Sequence, residues 1–210
     1  MKTAPTAING LYAITPDEPD SSQLLVQVDA ALRGGARLLQ YRNKDASPAL
    51  RRTQAAALLA LCRAHGVPLI INDHLELCLE LDADGVHLGA EDGAIAAARA
   101  RLGPDKLIGA SCYNRLELAL QAQEQGADYV AFGSCFDSAT KPAAVRAPLP
   151  LLGEAARQTG LPVVAIGGIT AENAHLAIQA GATAIAVIGA LWTAPDIRQA
   201  AQNFSNLFNT

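Results

Sequence analysis

Short apolar runs alternate with longer Ala- and Leu-rich stretches along the whole chain. Eight runs stand out: Leu11–Thr15, Leu38–Arg42, Pro68–Asn72, Gly85–Gly89, Leu107–Ser111, Tyr129–Gly133, Pro162–Gly167 and Ala184–Gly189. Each is short and bounded by Gly, Asn, Asp, Ser or Thr, the signature of a strand. The stretches between them read as helices, most clearly Gln54–Arg63, which is rich in strong helix formers. Gly34, Gly66, Gly103, Gly126, Gly160 and Gly181 stand where helices are expected to end, as a left-handed C-cap prefers. A last helix is expected near Pro195–Leu207.

Strictly alternating strands and helices imply parallel strands joined by right-handed crossovers. Eight units at a spacing of about 25 residues predict an α/β fold, a (β/α)8 TIM barrel, in which residues 1–210 form one domain. An open doubly wound sheet is the rival, and it usually carries a Gly-rich first turn. Here the first turn, Thr15-Pro16-Asp17-Glu18-Pro19, has no Gly-x-Gly.

Composition narrows the function classes. The chain has 210 residues, 50% of them hydrophobic and 17% charged, with a net charge of −4, so it is expected to bury a full core. No apolar stretch approaches the roughly 18 residues of a membrane span. Residues 1–9 carry one Lys and no long apolar region, so no secretory signal is expected. The net negative charge argues against a nucleic-acid surface but leaves room for an anionic small molecule held by a local cluster of Lys and Arg. Four cysteines without a Cys-x-x-Cys pair fit reduced thiols and a cytoplasmic location. A homo-oligomer is possible.

The chemistry of such barrels sits at the C-terminal ends of the strands. On the second strand, alternation sets Gln40 and Arg42 on the face opposite Leu39 and Tyr41, which predicts that Gln40 and Arg42 face inward at the mouth, with Lys44 beyond them. Inward cations want an anion; a substrate could supply it, or an ion pair with Asp73. Asp73 and Asp92 follow the third and fourth strands, and two carboxylates with room for water suit Mg2+. Each could instead cap its own helix. After the fifth strand, Ser111 could donate to a phosphate or cap a helix near Asn114. The loop from Ser134 to about Pro148 brings Ser138, Thr140 and Lys141, a plausible oxyanion cradle on a long, lid-like segment. Gly167-Gly168 and Gly189 follow the seventh and eighth strands, where backbone N–H groups commonly receive phosphate; Thr170 could cap the helix that follows. Among the histidines, His87 reads as a satisfied core residue. No Gly-x-Ser-x-Gly elbow or Cys/His pairing marks a nucleophile.

The segments Gln40-Tyr-Arg-Asn-Lys44, Ile71-Asn-Asp73, Gly85-Val-His-Leu-Gly89 with Glu91-Asp92, and Thr140-Lys-Pro142 together resemble the thiamine-phosphate synthase family, over nearly the whole chain. The resemblance implies a Mg2+-assisted transferase. It would join 4-amino-5-hydroxymethyl-2-methylpyrimidine diphosphate to thiazole phosphate and release pyrophosphate. By the same resemblance Gln40, Arg42, Lys44, Asn72, Ser111 and Lys141 would bind the pyrimidine diphosphate, with Arg42, Lys44 and Lys141 catalytic. Asp73 and Asp92 would hold Mg2+, and Ser138, Thr140, Gly168, Ile188 and Gly189 would form the thiazole-phosphate pocket. The sequence departs from the family's usual pattern at Ala90, Ser134, Ser138, Gly189 and Pro16. A thiazole tautomerase-like isomerase and a catalytically silent binder of thiamine precursors are the alternatives. An isomerase would not need the cations and both carboxylates, and a silent binder could lose the carboxylates.

Overall fold

A computed structural model describes residues 8–89, 94–137 and 145–208. Eight parallel strands close into a barrel in sequential order: β1 (Gly10–Ile14), β2 (Leu38–Tyr41), β3 (Leu69–Asn72), β4 (Gly85–Gly89), β5 (Leu107–Tyr113), β6 (Tyr129–Phe132), β7 (Val163–Ile166) and β8 (Ala184–Val187), with β8 pairing back onto β1. The crossover helices are α1 (Ser21–Arg33), α2 (Pro48–His65), α3 (Leu75–Leu81), α4 (Ala94–Leu102), α5 (Leu116–Glu124), α6 (Pro150–Thr159) and α7 (Ala174–Gln179). After β8 the chain makes a short turn of helix, α8 (Gly189–Trp192), which the strand–helix rhythm does not anticipate, before the expected last helix, α9 (Ile197–Asn206).

The period of two in each strand divides the core. Leu39, Ile71, Val86, Ile108, Val130 and Val163 face outward and pack with the buried stripes of the helices. Tyr12, Leu38, Ile70, Tyr129, Val164 and Ala186 fill the barrel interior as a separate cluster. Tyr41 belongs to the outer set, and its hydroxyl donates to Gln54 of α2 at 2.9 Å. Gln40 is buried on the inner side, so the alternation read from the sequence holds.

Local chemistry pins the strands in register. The Asp84 carboxylate accepts from the Leu69 N–H at 2.8 Å, and Asp128 accepts from Ile108 at the same distance. Arg99 spans the same end, bonding Asp128 and the carbonyls of Gly103, Lys106 and Gly126. Five of the six expected helix-end glycines, Gly66, Gly103, Gly126, Gly160 and Gly181, have positive φ. Gly34 does not: its φ is −79°, and Gly35 makes the left-handed turn at +97°. Gly34 answers to packing instead, because a Cβ there would lie 2.4 Å from the Arg198 carbonyl oxygen of α9. The four cysteines are reduced and buried. Burial pushes the Cys62 thiol up to about 12, so it is an inert core group. Among the described residues, no helix is long and apolar enough to cross a membrane.

Candidate active site

At the C-terminal end of the barrel, a cleft of about 260 Å3 opens beside β2 and β3, and Arg42, Lys44, Arg51, Asn72, Asp73 and His74 line it. The end of β2 is locked to the end of β1. The Arg42 N–H donates to the Thr15 hydroxyl at 2.9 Å, and that hydroxyl donates back to the Arg42 carbonyl at 2.8 Å. Thr15 is fully buried, so the clamp fixes where the Arg42 side chain departs.

Arg42 is not paired with Asp73. Its partner is Asp17 on the β1–α1 loop, which accepts from Nη1 at 3.0 and 3.2 Å. Asp17 also accepts the Lys44 backbone N–H at 2.6 Å, so one carboxylate organises both cationic positions. Only Nη1 of Arg42 is engaged; among the described residues its Nε and Nη2 have no acceptor. Behind them a buried amide knot holds the loop. Asn43 and Gln54 both donate to the Glu18 carbonyl, at 3.1 and 2.8 Å, and Asn43 also donates to Gln54 at 3.1 Å.

Asp73 is exposed at the cleft, with a left-handed backbone of φ 61°. It does not cap α3, whose first turn has no side-chain cap; its carboxylate accepts from Asn72 at 2.7 Å instead. Asp73 lines the cleft and offers carboxylate oxygens, the ligand type Mg2+ prefers. Among the described residues no three His, Cys, Asp or Glu side chains converge, and Asp73 is the one carboxylate among those that line the cleft. A hard cation that keeps most of its waters fits such a site. The other expected ligand, Asp92, lies outside the described residues, as do Ser138, Thr140 and Lys141.

Gln40 and Ser111 lie in the barrel interior rather than in this cleft. Gln40 Nε2 donates to the Tyr12 hydroxyl at 2.8 Å, and Ser111 Oγ sits 2.8 Å from His87 Nε2. Ser111 caps no helix, since α5 begins at Leu116 after Arg115. His87 is a satisfied core residue, as expected, and burial drives its imidazole down to about 4, so it is neutral near pH 7.

The opposite rim is shaped by glycine. Gly167 and Gly168 have φ of 97° and 64°, and the loop after β6 packs directly onto them: a Cβ on Gly168 would lie 2.3 Å from the Asp137 carbonyl oxygen. That loop is braced at its base, where Arg146 donates to the Asp137 carboxylate at 2.6 Å and to the Cys135 carbonyl at 3.2 Å. Ser134 and Ala147 are joined by a backbone bond of 2.9 Å. Thr170 does not cap α7 through its side chain; Asn173 holds the turn, accepting from the Thr170 N–H at 2.8 Å and donating to the Gly168 carbonyl at 2.9 Å. Ile188 precedes α8 and Gly189 opens it, with nothing within 4 Å of where a Gly189 Cβ would stand. Trp192 of α8 donates to the Ile14 carbonyl at 2.5 Å, fastening this rim to β1.

Several cleft residues carried no sequence signal. Arg51 of α2 lines the cleft, with Nη2 2.9 Å from the Ala46 carbonyl and Nε buried and, among the described residues, without an acceptor. Burial and the Arg51 guanidinium hold His74 below the usual imidazole range. Asp17 could have been flagged, because it sits on the loop after the first strand, at the same end as Arg42.

Comparison with known proteins converges on one family. The profile described as thiamine monophosphate synthase matches residues 11–191. The thiamine-phosphate synthase of Methylobacillus flagellatus is 63% identical over 202 residues, covering 96% of this chain and 96% of its own. That of Thiobacillus denitrificans is 55% identical, covering 99% of this chain and 97% of its own. Among solved structures, a thiamine phosphate pyrophosphorylase from Pyrococcus furiosus superposes with a TM-score of 0.86 at 35% identity over 97% of each chain.

Proposed function

The chain belongs to the thiamine monophosphate synthase family, and on that premise we propose how its own residues make thiamine phosphate. As a transferase, it joins 4-amino-5-hydroxymethyl-2-methylpyrimidine diphosphate to thiazole phosphate and releases pyrophosphate. The observation that carries the assignment of roles is the grouping of Arg42, Lys44, Asn72 and Asp73 around one cleft at the C-terminal strand ends.

In the reaction the C–O bond between the pyrimidine's methylene carbon and the diphosphate breaks. The electron pair leaves with the diphosphate, and the thiazole nitrogen then forms the new C–N bond. The cation left on the pyrimidine is stabilised by the ring's own amino group, so the protein needs no nucleophile. Its task is to meet the charge that grows on the departing oxygen. Arg42 turns its unengaged Nε and Nη2 to that anion, Lys44 adds a point charge, and Asn72 donates from the neighbouring strand. Donors aimed at growing charge act more strongly on the transition state than on the bound substrate, each worth roughly 3 kcal/mol. Asp73, with Asp92, would hold Mg2+, which supplies charge neutralisation on the diphosphate oxygens when bound. Lys141, Ser138 and Thr140 would complete the anion contacts from the loop whose base Arg146 braces, and Gly168, Ile188 and Gly189 would receive the thiazole phosphate. Gln40 and Ser111 would contact the pyrimidine substrate from the barrel interior. A proton-shifting isomerase would have no use for the Arg42–Lys44 pair. Residues 1–210 would act as one barrel unit in the cytoplasm.

The test is direct. Incubation with both substrates and Mg2+ yields thiamine phosphate and pyrophosphate in equal amounts, and EDTA stops both. Pyrophosphate released at the same rate without thiazole phosphate would overturn the coupling reaction in favour of hydrolysis.

A further inference from the structure

A row of hydrogen-bonded side chains crosses the barrel interior from β2 to β5. Gln40 Nε2 donates to Tyr12 Oη at 2.8 Å, Tyr12 Oη lies 2.8 Å from Tyr129 Oη, Tyr129 Oη lies 3.1 Å from His87 Nδ1, and His87 Nε2 lies 2.8 Å from Ser111 Oγ. Tyr12, Gln40, His87 and Tyr129 are all buried. The row is built into the fold, since a Cβ at Gly109 would lie 2.3 Å from the Tyr129 hydroxyl oxygen and 2.5 Å from His87 Nδ1. Only a residue without a side chain lets the two rings stack there, with centroids 5.6 Å apart.

Proton counting gives the row a direction. Each phenol has one proton, and a neutral imidazole has one donor and one acceptor nitrogen. The Gln40 nitrogen can only donate, so Tyr12 accepts from it and must spend its own proton on Tyr129. Tyr129, having accepted, donates to His87 Nδ1. The His87 proton therefore sits on Nε2 and is given to Ser111 Oγ. The opposite direction would have Tyr12 accept from both neighbours and strand its proton in a fully buried site, at the full desolvation cost of that group.

We propose that Tyr12, Tyr129 and His87 are positioning residues that polarise this row from Gln40 to Ser111, so that the Ser111 hydroxyl is held as an outward donor to an anionic oxygen of the substrate. This rests on the reading of Ser111 as a substrate contact. It adds that the serine is matched to an acceptor, such as a diphosphate oxygen, and is mismatched to an amino group.

The experiment has two arms. Nitrogen-15 spectra of the histidine-labelled, substrate-free protein at neutral pH, with a His87→Gln sample to assign the signal, read the tautomer directly. Protonation on Nε2 is expected, and protonation on Nδ1 would overturn the proposal. In the second arm Tyr129→Phe and Ser111→Ala each lower kcat about tenfold, the scale of one hydrogen bond, with KM little changed. The double variant is no slower than Ser111→Ala alone, because Tyr129 acts through the serine. Losses that multiply to about a hundredfold would overturn it. Unchanged turnover in Ser111→Ala, with the Nε2 tautomer present, would remove the substrate contact while leaving the polarity of the row standing. If Tyr129→Phe fails to fold, the spectrum of the unsubstituted protein still decides.

Discussion

On the β2–β3 flank of the mouth, charge shapes the surface. Asp17 gathers Arg42 and the Lys44 backbone, and Asn72 is tied to Asp73. On the β6–β8 flank, shape comes from backbone pressed on backbone, with Gly167 and Gly168 under the loop after β6 and open space at Gly189. A flank that must grip growing charge needs cations kept in place before the substrate arrives, and a carboxylate can hold them. A flank that receives a ready-made phosphate needs exposed N–H groups and the absence of side chains. The two therefore fail differently: one through lost rate, the other through lost fit or lost stability.

Gly168→Ala should break the second flank. It combines a φ of 64° with a Cβ overlapping the Asp137 carbonyl. The expected cost is about 3–4 kcal/mol, seen as a fall in melting temperature of about 10 °C. A melt within about a degree of the parent would show that the loop can move away.

Beneath both flanks, His87 offers a pH test. Its folded-state value near 4 lies below the ordinary imidazole value of 6.5, so the unfolded chain takes up the proton first as pH falls. Its share of stability is complete above about 6.5 and is lost between about 6.5 and 4, on the order of 3 kcal/mol. Denaturant titrations across that window should show the slope, and His87→Gln should flatten it.

Asp17→Asn sharpens the first flank. The pair is part-exposed, with side-chain exposures of 19% for Arg42 and 32% for Asp17, so stability should fall by less than about 1 kcal/mol. The kcat should fall several-fold as Arg42 loosens, with the KM for the pyrimidine diphosphate changing less, measured by steady-state kinetics. Gly189→Ser is the mildest test. Nothing stands within 4 Å of the new Cβ, so stability should stay within about 0.5 kcal/mol. The KM for thiazole phosphate, rather than for the diphosphate, should respond.

The barrel was legible because its signal is local and repeated. Each of the eight apolar runs matches a strand to within about two residues, since burial on both faces leaves an unbroken apolar run. The helix α8 escaped because four residues, Gly189–Trp192, are too short for a periodic face, and its preceding residue makes no side-chain cap. Partners across the mouth escaped for another reason. Arg42 and Asp17 are 25 positions apart, and Tyr12 and Tyr129 are 117 apart. No local period couples such positions; closure of the barrel brings them together. Asp73, at the end of the strand next to Arg42, is an ion-pair partner the sequence offers, yet it is Asn72 that engages it.

The central claim is that the β2–β3 cations act on the departing diphosphate and not merely on the bound substrate. The most direct measurement is kcat and KM for the pyrimidine diphosphate in Arg42→Met, with saturating thiazole phosphate and Mg2+. The account predicts that kcat falls at least about a hundredfold while KM changes far less. A raised KM with kcat preserved would contradict it.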